Sequence, residues 1–452
     1  MPDLPVASAS LPLSAGVMTE VAQRSLEAAR RHGATDAEVE VSAAVGQSVT
    51  VRRGEVETVE YNRDKGMGIT VYIGKRRGNA STSDLSPEAI DRTAQAACAI
   101  ARHTAEDDAV GLPDAQRLFR GTPVDLDLYH PWGLDVEEAI AIAKRTEAAA
   151  LAVDKRITNS EGATVSAFDS DFMLANTLGF CAGYPASKAY VSAAVVAEDA
   201  SGMQRDYWYT THRDHARLED VEGVGRMAGE RAVRRLGGRK HATGESAVVF
   251  EANVAGSLLG HFVSAASGSS LYRRSTFLLD RLGTRVFAPC VTIREEPHQR
   301  GEMASSPFDA EGVATAPRVV VEDGELRGWF LSSHSARKLG LETTGNAGGN
   351  HNLVLVPGEL DLEGILRKMG RGLLVTETMG QGVNPVTGDY SRGASGFWVE
   401  GGEIRHPVEE VTIAGNLLDM FAGIRAVGRD VLTRGSRQCG SILVERMTIA
   451  GE

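Results

Sequence analysis

The chain has 452 residues, 42% apolar and 24% charged, the balance of a soluble globular protein long enough for two or three domains. Its 60 acidic residues outnumber 48 Lys and Arg for a formal net charge of -12, which argues against a nucleic-acid backbone as the main partner, because phosphate binding needs clustered cations. Cys98, Cys181, Cys290 and Cys439 are far apart and form no Cys-x-x-Cys pair, so neither a disulfide framework nor a zinc ribbon is signalled. With no basic, apolar leader pattern and no run of membrane-spanning length, the expectation is a cytoplasmic protein without a membrane partner.

Residues 1–16 are small and polar, with Pro2, Pro5 and Pro12, and read as a loose tail. A first α+β unit spans 17–103. Val21, Ser25, Leu26 and Ala29 share a helical face that stops at Gly33, and Val39, Val41 and Ala43 alternate with polar residues as a strand does. Further strand-like pieces at Val49–Arg52 and Ile69–Ile73 precede a helix capped by Ser86 with Pro87 at its first position. Residues 104–134, rich in Asp, Pro and Gly, read as a linker. The second α+β unit, 135–240, opens with the capping-box pair Asp135 and Glu138. Strand-like runs follow at Thr164–Ala167, Phe172–Asn176, Tyr190–Ala197 and Arg205–Thr211, separated by turn residues such as Asn159-Ser160-Glu161-Gly162. A helix over Glu219–Leu236 ends this unit. From 241 to 452 glycine is dense, and Asp323-Gly324 and Gly401-Gly402 between apolar runs signal tight hairpins. The chain reads as α+β: an N-terminal α+β portion with antiparallel sheets and helices, then a C-terminal β-rich domain.

Few motifs carry chemistry. No phosphate-cradling loop occurs, Gly66-Met67-Gly68 lacks a third glycine and a following helix, and Gly393-Ala394-Ser395-Gly396 only approximates a nucleophile elbow. Ser335-x-x-Lys338 lacks the companion motifs of serine–lysine enzymes. His212-x-x-His215 follows a strand and reads as a solvated turn. His261 lies on a helix with Val254, Leu258 and Phe262, but Ser257 and Ala265 stand four residues away, so it has no helical co-ligand. The densest stretch, Thr376-Glu377-Thr378-Met379-Gly380-Gln381-Gly382-Val383-Asn384-Pro385 onward to Gly393, is compatible with two readings. One is a structural turn region; the other is a surface where an extended peptide docks by its backbone.

That stretch, with Gly256–His261, Ser269–Leu278, Asn346–Asn350 and Val411–Asn416, resembles the TldD/TldE family, whose second member is also called PmbA. Ser270-Leu271-Tyr272-Arg273-Arg274-Ser275 and Met447–Gly451 look like the TldE/PmbA branch. The resemblance implies a heterodimeric metallopeptidase acting on peptides and unfolded polypeptides. Its TldD-type subunit carries zinc on a His-Glu-x-x-x-His helix and a later Cys. With Leu258-Leu259 as anchor, the two ligand positions fall here on Gly260 and Ala265 and the base position on His261, while Cys439 resembles the cysteine context. A catalytic zinc wants three protein ligands and an open position. The resemblance therefore implies no catalytic, cofactor or metal residue on this chain, with zinc on the TldD-type partner. His261, Thr376, Glu377, Thr378, Gly380, Gly382, Asn384 and Cys439 are candidate chamber or interface residues. Two other readings stay open: a separate hydrolase using His261 with Cys439, or a metal with His351 or Glu377; and a homodimeric scaffold. A homodimer of the isolated chain is also compatible with the peptidase reading.

Overall fold

The computed structural model describes residues 11–122 and 124–451. The first ten residues of the expected tail lie outside this range; Ser14 caps α1 (Ala15–Arg31), so the helix begins two residues before the expected unit. The N-terminal half continues with β1 (Asp36–Arg52), β2 (Glu55–Ile73), β3 (Arg76–Thr82), α2 (Pro87–His103), α3 (Val136–Leu151), β4 (Ile157–Asn176), β5 (Cys181–Ala182), β6 (Ala186–Asp199), β7 (Gly202–His212) and α4 (Val221–Arg234). All these strands join one antiparallel sheet ordered β3-β2-β1-β4-β6-β7, with β5 on β4. The two α+β units are thus the two ends of a single sheet, joined where β1 pairs with β4 from Glu38↔Asn176 to Val51↔Ala163.

Strand alternation decides what covers this sheet. On β1, Val39, Val41 and Ala43 pack with α1 and α2, and Val49 packs with α3 and α4. These positions are two residues apart or multiples of two, so both helix pairs lie on one face. The other face is polar and aromatic. There Ser48 meets Ser166 (Oγ–Oγ 2.8 Å), Thr50 meets Thr164 (2.9 Å), and the Tyr190 and Tyr209 rings lie 5.6 Å apart. The C-terminal half docks on this polar face. Phe308 inserts against Phe172 and Tyr184, with ring centroids at 6.1 and 5.6 Å.

Two expectations fail in this half. Asn159–Gly162 is no turn: β4 runs through it, with irregularities at Ile157/Asn159 and Ser160/Gly162. Pairing with β6, Asn159↔Val196 through Gly162↔Ala194, holds the extra residues as bulges. His212 is not solvated either. It is 7% exposed and its Nδ1 accepts the Asp214 N–H at 2.9 Å, so the turn folds back over the ring. The linker segment is tied to the C-terminal half at several of its described residues. Asp107 meets Lys338 (2.6 Å) and His334 (3.0 Å), bonds that hold its carboxyl well below the usual range, and Phe119 N–H donates to Gly312 O.

The C-terminal half contains β8 (Gly244–Phe250), α5 (Ala252–Ala265), α6 (Gly268–Tyr272), β9 (Ile293–Glu295), β10 (Arg318–Glu322), β11 (Glu325–Leu326), α7 (Ser333–Leu339), β12 (Leu353–Leu355), α8 (Leu362–Met369), β13 (Arg371–Met379), β14 (Asp389–Glu400), β15 (Glu403–Asn416), α9 (Leu417–Ala422), β16 (Ile424–Val427), β17 (Arg437–Gln438) and β18 (Ile442–Ala450). One sheet is ordered β15-β14-β13-β8-β18-β16, and β15 pairs again with β18, so it closes on itself. The other is ordered β11-β10-β9-β12-β17. Both expected hairpins form, with positive φ at Asp323, Gly324, Gly401 and Gly402 as tight turns require. The core gathers on α5, where Phe262 is fully buried and its ring meets Phe287 at 5.1 Å. The mixture of helices with largely antiparallel sheets is the α+β architecture expected.

Candidate functional site

A cavity of about 590 Å³ opens where β7, α5, β13, β14 and the segment around β17 converge. Tyr207 and Tyr209 form its wall on the N-terminal sheet, and Asn253, Thr376, Glu377, Thr378, Arg392, Arg437 and Cys439 line the opposite side. The cavity thus lies between the two halves. Ion pairs cross between the halves nearby, and Arg231 pairs within its own half as well. Arg231 of α4 meets Asp206 (3.3 Å) and Glu251 (2.9 Å), Arg235 meets Glu377 (2.6 Å), and Arg434 meets Glu219 (2.8 Å). The Arg434 guanidinium also stacks 4.1 Å from the Trp208 ring and 4.6 Å from that of Tyr209.

The sequence candidates divide. Thr376, Glu377, Thr378 and Cys439 line the cavity. Gly380, Gly382 and Asn384 lie further along the β13–β14 connection. There Asn384 Oδ1 accepts the Val386 N–H (2.9 Å), and a Cβ on Gly382 would stand 1.9 Å from Ser391 O. Local turn geometry accounts for these three. His261 sits beside the cavity rather than on its surface. Its ring meets Tyr390 edge-on at 5.9 Å, and its Nε2 is buried without a hydrogen-bond partner. Burial, then Arg392 and Arg437, push its pKa down and favour the neutral imidazole.

The resemblance implies metal-ligand positions on α5, and the residues there do not fit a metal. Gly260 has no ligand atom, and a Cβ there would lie 2.6 Å from Arg437 Nη1. A guanidinium therefore occupies the space a ligand side chain would enter. Ala265 is 1% exposed in the apolar core. Cys439 Sγ does face this helix, 3.9 Å from a Cβ built on Gly256, one turn before Gly260. Among the described residues no group of three or more His, Cys, Asp or Glu side chains is placed to hold a metal ion.

A thiol–imidazole pair is not assembled either. Among the described residues Cys439 makes no hydrogen bond to an imidazole, and burial, then Asp430, push its thiol up to about 12. His351 lines a separate cavity, with Nε2 2.9 Å from Gly345 O. Alkylation follows from this burial. Iodoacetamide at pH 8 should label the exposed Cys181 and Cys290 and spare Cys98 and Cys439, as peptide mapping would read.

Sequence reasoning missed the arginines. Arg437 directly precedes the noted Gln438-Cys439, and Arg392 lies inside the noted Thr376–Gly393 stretch. No local pattern says that either reaches α5. A second expectation follows from Gly260. Its Cβ clash is with the far end of a flexible side chain, and alanine suits a helix interior better than glycine by about 0.5–1 kcal/mol. Gly260→Ala should leave the urea midpoint unchanged or raised while displacing the Arg437 guanidinium.

Models described as PmbA/TldA metallopeptidase domain 1, central domain and C-terminal domain match residues 37–101, 129–236 and 243–451. The chain is 49% identical over 437 residues to Metalloprotease PmbA of Escherichia coli O157:H7, covering 96% of each. It is 45% identical over 427 residues to the Metalloprotease PmbA homolog of Haemophilus influenzae, covering 94% of each. A crystal structure of a Bacteroides thetaiotaomicron protein, proposed as a modulator of DNA gyrase, matches with a TM-score of 0.91 at 27% identity over 96% of this chain and 98% of that one. TldE from Thermococcus kodakarensis shares the fold, with a TM-score of 0.83 at 21% identity over 95% of this chain and 100% of that one. From domain 1 through the closed C-terminal sheet, the chain belongs to the PmbA/TldE metallopeptidase family.

Proposed function

We propose that this chain is the noncatalytic, peptide-holding subunit of a two-chain metallopeptidase. A TldD-type partner supplies the zinc, and the cleft described above completes the chamber for peptides and unfolded polypeptides. The observation that carries this reading is Arg437 against Gly260: a cation fills the place of a metal ligand on α5. The cleft wall suits a peptide. β13 pairs with β8 only over Gly372–Val375, while its residues out to Met379 pair with β14. Beyond Val375 the other edge of β13 faces the cleft with no strand on it among the described residues. An extended chain adding there would bind by main-chain hydrogen bonds, which are common to all peptides and so tolerate sequence. The polar sheet face with Tyr207 and Tyr209 supplies the opposite wall.

Co-purification tests this. A tagged copy of this chain, expressed with a TldD-type chain, should carry that chain with it, and the pair should hydrolyse an unfolded polypeptide until a chelator is added. Tagged protein that ignores a folded TldD-type chain, or hydrolysis that survives the chelator, would contradict the proposal.

A further inference from the structure

The cleft holds positive charge that its own carboxylates do not neutralise. Asp206 is met by Arg231 (3.3 Å) and Arg235 (3.7 Å), and Glu377 by Arg235 (2.6 Å). Arg434 is taken by Glu219 (2.8 Å). Arg392 on β14 and Arg437 on β17 remain. Both line the cavity, and neither forms an ion pair with a carboxylate among the described residues. Arg437 donates one long bond, from Nη1 to Gly256 O at 3.4 Å, and Arg392 Nε is buried with no acceptor.

The two arginines converge from different strands on one place. Both line the same cavity, and Arg437 lies against Gly260 on α5, next to the half-buried His261. His261 carries no negative charge that could satisfy either guanidinium. Arg392 is half-buried with its Nε unpaired, and Arg437 is exposed with one long bond, so both keep N–H groups free for a ligand; a guanidinium's planar fork of N–H groups matches a carboxylate geometrically and electrostatically. A chain of formal charge -12 has no general attraction for anions, so this is a local feature.

We infer that Arg392 and Arg437 form a carboxylate-binding site that anchors the peptide held in the cleft. The inference rests on the peptide-binding reading above and adds the chemical group recognised. The carboxylate comes either from the peptide's free C-terminus or from an Asp or Glu side chain, and the test separates the two.

The probe is a set of rhodamine-labelled decapeptides of Ala, Ser and Gly, followed by fluorescence anisotropy on the full chain, alone and co-purified with its TldD-type partner. One peptide has a free C-terminus, one is the C-terminal amide, and one is the amide with a single internal Glu. The free acid, the Glu-containing amide, or both should bind about 10-fold or more tightly than the plain amide, the scale of a charge-assisted hydrogen bond pair. Which of them does so identifies the source. Arg437→Gln should collapse that ratio toward one, with Arg437→Lys retaining part of it, and Arg392→Gln should do the same. If Arg392→Gln fails to fold, the wild-type ratio and the Arg437 variants still decide. Equal binding of all three peptides would overturn the carboxylate site and leave the peptide cleft standing. No binding of any peptide, alone or in the complex, would overturn the cleft reading and the site with it.

Discussion

Replacing Arg231 by alanine should destabilise the protein by about 3–5 kcal/mol, read as a lowered urea midpoint. The Arg231 side chain is 7% exposed and bridges Asp206 on β7 to Glu251, the residue that joins β8 to α5. Its guanidinium also lies 5.1 Å from the Trp208 ring. Removing it leaves Glu251 without its ion-pair partner and Asp206 with only the longer contact to Arg235 at 3.7 Å, in a site with little water, and that poorly compensated charge is the larger part of the cost. A paired Glu251→Gln substitution should recover part of the loss, because the two residues act as one unit. A cost below about 1 kcal/mol would mean that the junction between the two halves does not depend on this bridge.

The triple variant Gly260→His, His261→Glu, Ala265→His should not bind zinc tightly, although it introduces the ligand and base types that the resemblance implies for a TldD-type chain. Arg437 occupies the space beside residue 260, and a positive charge about 4 Å from a metal opposes it by about 4 kcal/mol per unit charge at an effective dielectric of 20. Ala265 is in the packed core, where a larger side chain forces displacements costing about 1–3 kcal/mol. Adding Arg437→Ala should raise the zinc affinity of the triple variant, because Cys439 Sγ already faces the preceding turn of α5. Isothermal titration with zinc distinguishes these cases. Tight binding by the triple variant with Arg437 intact would show that the guanidinium does not guard the position.

Much of the architecture is legible in the residues because its causes are local. Ser14, Ser86 and Asp135 cap their helices, and their side chains accept the first-turn N–H groups. The alternation of Val39, Val41 and Ala43 identifies the buried face of β1, and Asp323-Gly324 and Gly401-Gly402 turn their hairpins. What stays hidden depends on partners distant in sequence. Asn159–Gly162 has turn composition but is strand because β6, further along the chain, pairs with it. Nothing near residue 104 announces that Lys338 will hold Asp107.

The site follows the same division. The ligand positions Gly260 and Ala265 can be read directly, since glycine and alanine carry no donor atoms. That Arg437 fills the space at Gly260 cannot, because the two positions are 177 apart in sequence and only the fold closes that distance. Likewise Tyr207 and Tyr209 look like ordinary strand residues until the polar face of the N-terminal sheet is set against α5 and β13.

The most direct measurement is the zinc content of this chain purified by itself, set beside that of the complex with a TldD-type partner. Elemental analysis after dialysis should find zinc in the complex and close to none in the isolated chain, with no chelator-sensitive hydrolysis by the latter. One tightly held zinc per isolated chain would contradict the account.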